Sequence, residues 1–183
     1  MARVAIVGDG PAGLSAALLL AKNDVETVVF AQDGTAMHHA HLFNYLGIEE
    51  IGGSEFQATA RRQVTAQGAE LRDAEVTTID PADGDGFVVR TADGELHADY
   101  VILAGSKQAR ELAAALGVER DGRVPVDTEN RTEVDRLYAV GRVVRPERSQ
   151  AIISAGAGAV AALDILSREA GKDVHDWDTP PKE

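Results

Sequence analysis

Residues 4–13 read Val4-Ala5-Ile6-Val7-Gly8-Asp9-Gly10-Pro11-Ala12-Gly13, and an apolar run from Leu14 to Ala21 follows directly. A buried strand therefore enters Gly-x-Gly-x-x-Gly and leaves it as a helix, the flanking context that makes this spacing informative. Gly8 makes the tight turn. Gly10 carries no Cβ, so a pyrophosphate can approach the backbone, and Gly13 lets the helix pack close to the strand. The helix N-terminus presents free N–H groups and a partial positive charge to phosphates. These features read as a dinucleotide site. A plain strand–turn–helix is the alternative.

Working outward, residues 3–7 form the first strand and 11–22 the first helix, which Asn23-Asp24 ends. Val25 to Phe30 is a second buried strand, so a β–α–β unit fills the first thirty residues. Residues 31–53 are a loop holding His38-His39-Ala40-His41 and Asn44-Tyr45-Leu46-Gly47, and Ser54 caps a helix over 55–67. A third strand lies within Glu70 to Asp80, and strands at 86–91 and 95–98 form a hairpin through Ala92-Asp93-Gly94. Tyr100 to Ala104 is a buried strand closing at Gly105, and a short helix covers 108–116. Val124-Pro125-Val126 is extended, Leu137 to Val140 is a buried strand ending at Gly141, and Ser149 to Arg168 is the last long helix. From Gly171 the chain is polar and Pro-rich, and weak order is expected there. Alternating strands and helices imply a parallel sheet covered on both faces. Ligands of such sheets bind at the carboxyl ends of the strands, where Gly8, Gly105 and Gly141 should gather around one crevice.

The 183 residues suffice for one domain with a sizeable core. They contain no cysteine, which excludes disulfides, thiolate metal sites and dithiol chemistry carried by these residues. Met1-Ala2-Arg3 leads straight into a strand, so no signal peptide is expected, and the longest apolar run, Leu14 to Ala21, is too short to span a bilayer. A cytoplasmic protein is the expectation. The net charge of −12 disfavours nucleic acid and anionic membranes as partners, and it suits a highly soluble surface or one adapted to high salt.

In this order and spacing the motifs resemble the flavin domain of the thioredoxin reductase family, over about residues 3–168. Gly8-Asp9-Gly10-Pro11-Ala12-Gly13 matches that family's FAD pyrophosphate loop, and its Pro11-Ala12 leans toward flavin over nicotinamide. Asn44-Tyr45-Leu46-Gly47 resembles the segment beside the isoalloxazine ring. Val101-Ile102-Leu103-Ala104-Gly105 occupies the place of an Ala-Thr-Gly strand end. Tyr138-Ala139-Val140-Gly141 followed by Gln150-Ala151-Ile152 resembles the C-terminal flavin motif. The resemblance implies an α/β, three-layer Rossmann-like FAD/NAD(P)-binding fold with a parallel sheet and an inserted antiparallel β-meander. It implies one domain over residues 1–170 and a polar tail over 171–183. FAD is the implied cofactor, held by Gly8, Gly10, Pro11, Ala12, Gly13, Gln32, Asp33, Asn44, Val76, Ala104, Gly105, Gly141, Arg142, Gln150 and Ala151. A homodimer and a redox partner protein are implied as well.

Complete members of the family carry a nicotinamide domain of roughly a hundred or more residues between the two halves of the flavin domain. Here Gly105 runs to Leu137 within about thirty residues, leaving no room for that domain or for its redox cysteine pair. The chain thus reads as a stand-alone flavin domain that needs an external electron donor. It does not read as a self-sufficient thioredoxin reductase. Ala31, Ala104 and Arg142 favour a second reading, a non-catalytic pseudo-flavoprotein used for partner binding or ligand sensing. Three departures from the family's pattern stand out. Ala31 stands where the family has a ribose-binding Glu, with Gln32 and Asp33 after it. The His-rich loop replaces a Gly-Gly-Gln segment. Arg142 replaces the Asp after Gly141, reversing a charge and offering only donors. Arg142 either binds an anion in the crevice or points to solvent. Of the remaining polar residues, His38, His39 and His41 lack a companion carboxylate at ligand spacing, and no metal site is expected. Arg61 and Arg62 read as part of a solvated helix face, and no acid or base stands out as catalytic.

Overall fold

In a computed structural model, which describes residues 2–105 and 107–179, five parallel strands form the central sheet. They are β1 (Arg3–Val7), β2 (Glu26–Phe30), a short strand at Glu70–Arg72, and the strands Tyr100–Ala104 and Leu137–Val140. Numbering in chain order makes the last three β5, β9 and β10, after β3 (His41–Leu42) and β4 (Ile51–Gly52) and around the strands β6 (Val76–Pro81), β7 (Phe87–Thr91) and β8 (Gly94–Ala98). The sheet order is β10-β9-β1-β2-β5, while β6-β7-β8 is a separate antiparallel meander. The helices are α1 (Pro11–Lys22), α2 (Gly53–Ala66), α3 (Lys107–Ala115) and α4 (Ala151–Ala170).

The pleat explains the layers. Val4 and Ile6 face one way with Tyr100, Ile102 and the apolar residues of α1 and α4. Ala5 and Val7 face the other way with Val101, Leu103, the meander residues Ile79, Phe87 and Val89, and Leu112 of α3. Both faces are thus buried, as uniformly apolar parallel strands require. Close approach of α4 to α1 depends on Gly158, where a Cβ would stand 2.0 Å from the Ala12 carbonyl oxygen. By length and mean hydropathy alone α4 could cross a membrane, but its apolar residues Ala161, Ala162, Ile165 and Leu166 lie in the core.

Three local expectations change. The segment 70–80 is two strands, because a turn in which the Ala74 N–H donates to the Arg72 carbonyl sends the chain from the parallel sheet into the meander. Ser54 does not cap α2. The helix begins two residues earlier than expected, at Gly53 behind Gly52, and the Ser54 hydroxyl is instead 2.9 Å from His38 Nδ1. Finally, the tail over 171–183 is expected to be weakly ordered; residues 180–183 lie outside the described residues, and the part before them makes specific contacts. Lys22 pairs with Asp176 and Asp178, the Val174 N–H donates to Ser167 Oγ, and Val174 packs against the core.

Candidate functional site

A cavity of about 140 Å³ opens at the carboxyl ends of β1, β9 and β10, where the strand-end glycines were expected to converge. Gly10, Gly105 and Gly141 line it. Gly8 supports it from below. Its φ is +108°, and a Cβ there would sit 1.9 Å from the Ala104 carbonyl oxygen, so β1 and β9 can meet only over a glycine. At Gly13 a Cβ would stand 2.0 Å from the Gly8 carbonyl oxygen, which ties α1 to the loop. Gly10 differs. The nearest atom to its Cβ position is Thr35 Oγ1 at 3.5 Å, so fold packing alone does not demand a glycine there.

Gly10 is also the N-cap of α1, with Pro11 following, and among the described residues no side chain satisfies the helix terminus. The terminus and its partial positive charge therefore open toward the cavity, whose lining includes Pro11 and Ala12. Arg142 joins the lining from the turn after β10, with Nε 3.2 Å from Ser149 Oγ and the guanidinium exposed. Gln150 is the N-cap of α4 and accepts from Asn44 Nδ2 at 3.1 Å, so the Asn44–Gly47 loop is tied to the start of α4. Ala151 is buried beside Met37 and Leu42 and also lines the cavity.

The cavity thus brings together Gly10, Pro11, Ala12, Ala104, Gly105, Gly141, Arg142 and Ala151 from the residues singled out in the sequence. Others lie outside it. Gln32 is exposed at the rim of the sheet. Val76 is buried in the core between sheet and meander, its carbonyl accepting from Gln108 Nε2 at 3.3 Å. Ala31 continues the backbone ladder, its N–H donating to the Arg72 carbonyl. Asp33 takes the left-handed conformation at φ 54°, with His38 Nε2 3.1 Å from both its carbonyl and a carboxylate oxygen.

Sequence reasoning missed a buried polar group beneath the glycine loop. Asp9 is only 5% exposed and its carboxylate pairs with the Arg61 guanidinium from α2. The Gln57 amide, one turn earlier on α2, donates to the Asp9 carbonyl at 2.6 Å and to Asp33 at 3.4 Å. Arg61 is therefore a partner of the loop and not part of a solvated face. Burial pushes the Asp9 carboxyl above its ordinary value, against the pull of Arg61. Gln57 Oε1 is buried and has no hydrogen-bond partner among the described residues. The only signal for this group was the i, i+4 spacing of Gln57 and Arg61. Thr35, Met37, Ser149 and Ser154, all cavity-lining, were likewise unforeseen.

For FAD, the loop residues fit a pyrophosphate, because the open space at Gly10 adjoins an uncapped helix terminus. The end of β2 fits a ribose less well, since Ala31 offers no side-chain acceptor and Asp33 is already engaged by His38 and Gln57.

The family described as pyridine nucleotide-disulphide oxidoreductase matches residues 2–104 and 46–162. The thioredoxin reductase of Treponema pallidum is 37% identical over 113 residues, covering 60% of this chain and 36% of that protein. That of Listeria monocytogenes is 30% identical over 124 residues, covering 66% of this chain and 38% of that protein. The chain spans little more than a third of the length of these relatives. Among solved structures, the atypical thioredoxin reductase TRi of Desulfovibrio vulgaris Hildenborough superposes with a TM-score of 0.84 at 20% identity, covering 93% of this chain and 99% of that one. A ferredoxin-flavin thioredoxin reductase of Clostridium acetobutylicum gives a TM-score of 0.78 at 18% identity, with 93% and 99% covered. These structural likenesses establish the Rossmann-like fold.

Proposed function

This chain belongs to the pyridine nucleotide-disulphide oxidoreductase family, and from that premise we propose that it is a thioredoxin reductase-like flavoprotein domain that binds FAD and takes electrons from an external donor. The observation that carries this reading is the contrast within the glycine loop. Gly8 and Gly13 are sterically required by the fold, whereas Gly10 is free of backbone contact and faces the cavity. A fold-only role would not require a glycine at that one position. In this reading Gly10, Pro11 and Ala12 hold the pyrophosphate at the α1 terminus, and Arg142 adds a donor from the opposite wall. A bound flavin supplies the redox chemistry, and the protein supplies binding, orientation and electrostatics.

The middle of the chain supports the reading of an external donor. Residues 107–136 contribute α3 and turns before β10 begins. A nicotinamide domain has no place there, and the relatives' redox cysteines have no counterpart in a sequence without cysteine. The Clostridium neighbour is named for both flavin and ferredoxin, which agrees with a protein donor. A cytoplasmic location suits such a donor.

The pseudo-flavoprotein reading is favoured by Ala31, by Arg142, and by a cavity well below the roughly 300 Å³ at the lower end for small-molecule sites. An absorbance spectrum of the purified chain, before and after adding FAD and gel filtration, separates the two. Flavin bands that co-elute with the protein support the flavoprotein. A colourless protein that ignores added FAD overturns it.

A further inference from the structure

We propose that the rim of the crevice, formed by the Arg142–Arg148 segment and the Phe43–Leu46 loop, is a docking face for an acidic electron-carrier protein, an inference that rests on the reading of the chain as a flavoprotein with an outside donor. Two independent features of the surface meet at this place.

The first is charge. In a chain of net charge −12, most cations are engaged in ion pairs, as Arg3 is with Glu26, Arg61 with Asp9 and Arg131 with Asp164. Arg142, Arg145 and Arg148 are not, and unlike the other cations without an ion pair among the described residues, Arg62, Arg110, Arg123 and Lys172, they fall within seven residues of one another. All three are exposed, and among the described residues none lies within ion-pair distance of a carboxylate. Two helical turns hold them close together, Gly141–Val143 and Pro146–Arg148. The Val144 and Arg145 N–H groups donate to the Gly141 carbonyl, and the Arg148 N–H to that of Arg145. Against these three cations the stretch carries a single carboxylate, Glu147, so it remains an electropositive spot on an acidic protein.

The second is apolar exposure. Phe43 is 70% exposed and Leu46 89%, whereas the neighbouring Leu42 is buried. Asn44, between Phe43 and Leu46, is hydrogen-bonded to Gln150. That bond sets the loop beside the first turn of α4, where Ile152 and Ile153 are 36% and 41% exposed. The arginine turns lead directly into the same helix end. Apolar anchors flanked by unpaired arginines, beside the crevice mouth, have the composition of a protein–protein interface.

The charge selects the occupant. A two-fold dimer through this face would oppose each arginine cluster to its own copy, and like charges across an interface cost affinity. A homodimer would use another face. An acidic carrier is drawn to the arginines by complementary charge, and the apolar side chains then desolvate against it.

The test is calorimetric titration of the chain, with and without FAD, by a plant-type iron–sulfur ferredoxin as the acidic carrier and cytochrome c as the basic one. The expected result is ferredoxin binding that weakens at least tenfold between about 50 and 300 mM salt. The R145E/R148E variant should bind at least tenfold more weakly and lose most of the salt dependence. The F43S/L46S variant should bind more weakly with the salt dependence intact. Failure of ferredoxin to bind at low salt, equal binding of cytochrome c, or indifference to charge reversal would overturn the docking face. So would a parent dimer, seen by ultracentrifugation, that R145E/R148E dissociates. A chain that docks ferredoxin but takes up no FAD would sink the flavoprotein reading and retain the face, and the converse would remove the face alone.

Discussion

Arg61, in the middle of α2, pairs with the carboxylate of Asp9 inside the glycine-rich loop. The pair joins the loop to a helix 52 residues away in sequence, and Asp9 has almost no access to water. Removing the cation leaves a buried carboxylate without its counter-charge. Arg61→Met should cost about 2–3 kcal/mol in urea unfolding at neutral pH. Asp9→Asn/Arg61→Met should recover more than half of that. The pH dependence has a definite sign. Burial raises the folded pKa of Asp9 above its unfolded value near 3.8, so the native state binds the extra proton. Stability of Arg61→Met should therefore rise as pH falls from neutrality toward that value. A single variant within about 0.5 kcal/mol of the parent would show that the pair contributes nothing.

The glycines of the loop separate fold from ligand. Gly13→Ala places a Cβ 2.0 Å from the Gly8 carbonyl oxygen, so α1 must move, and a loss of more than about 3 kcal/mol is expected. Gly10→Val meets no backbone within the same range and should fold normally by circular dichroism. It should nevertheless lose FAD affinity a hundredfold or more, about 2.7 kcal/mol, because its side chain fills the approach to the helix terminus. A Gly10→Val protein that stays yellow would remove the pyrophosphate from this loop.

The legible parts of the fold were those written locally. The apolar runs 4–7, 101–104 and 137–140 each end in a glycine, of which Gly8 and Gly141 take the positive φ that favours glycine, and β1, β9 and β10 were readable almost to the residue. Ser54 misled because a capping residue is recognised by type, whereas the start of α2 is fixed by tertiary contact. At Gly53 a Cβ would stand 2.0 Å from the Met37 carbonyl oxygen, so the glycine is what lets the helix start against that turn. The break between β5 and β6 was hidden because Ala74, buried in the core, looks like strand in the sequence although it sits at the crossing between two sheets. In the site, the glycine loop was readable because its spacing carries its own mechanism. Gln57 and Arg61 were not, because their partner lies 48 to 52 residues earlier and nothing in the helix sequence points to it.

Arg142 distinguishes an adapted crevice from a degraded one. Its guanidinium lines the same cavity as the open helix terminus and is steadied by Ser149. A contact to phosphate there is charge-assisted and accessible to salt. Arg142→Ala should weaken FAD binding about tenfold, or 1.4 kcal/mol, and Arg142→Asp should weaken it further by adding a carboxylate near Asp9. Equilibrium dialysis with FAD at two salt concentrations measures both. Tighter binding by Arg142→Asp would mean instead that the arginine displaced a useful carboxylate, as in the decayed-site reading.

Asp164 anchors the opposite end of the sheet. It is buried on α4, accepts two bonds from Arg131, and receives the Tyr138 hydroxyl at 2.5 Å from β10. Arg168 extends the network to Asp135 at 2.7 Å and lies over the ring of Tyr100, whose hydroxyl donates to Glu169. Burial alone would raise the Asp164 pKa, but the bonds from Arg131 and Tyr138 outweigh it and hold the carboxyl below its usual 3.8. A depressed folded pKa contributes stability above the unfolded value that is lost as pH falls through the folded one. Burial, then the bond to Asp164, raises the Tyr138 phenol above 10.0, so its contribution is full below that pH and lost on the alkaline side. Urea midpoints should therefore fall both below about pH 4 and above about pH 10. Asp164→Asn should cost about 2 kcal/mol at pH 7 and flatten the acid limb, with Asp135 retaining part of it through Arg168. Tyr138→Phe should cost about 1 kcal/mol and flatten the alkaline limb in part, because Tyr100, pushed up to about 12 by burial and by Glu169, continues to titrate there. Since the network sits at the amino ends of β9 and β10, neither variant should alter FAD affinity at pH 7. An acid limb in Asp164→Asn parallel to that of the parent would locate the acid-labile carboxylate elsewhere.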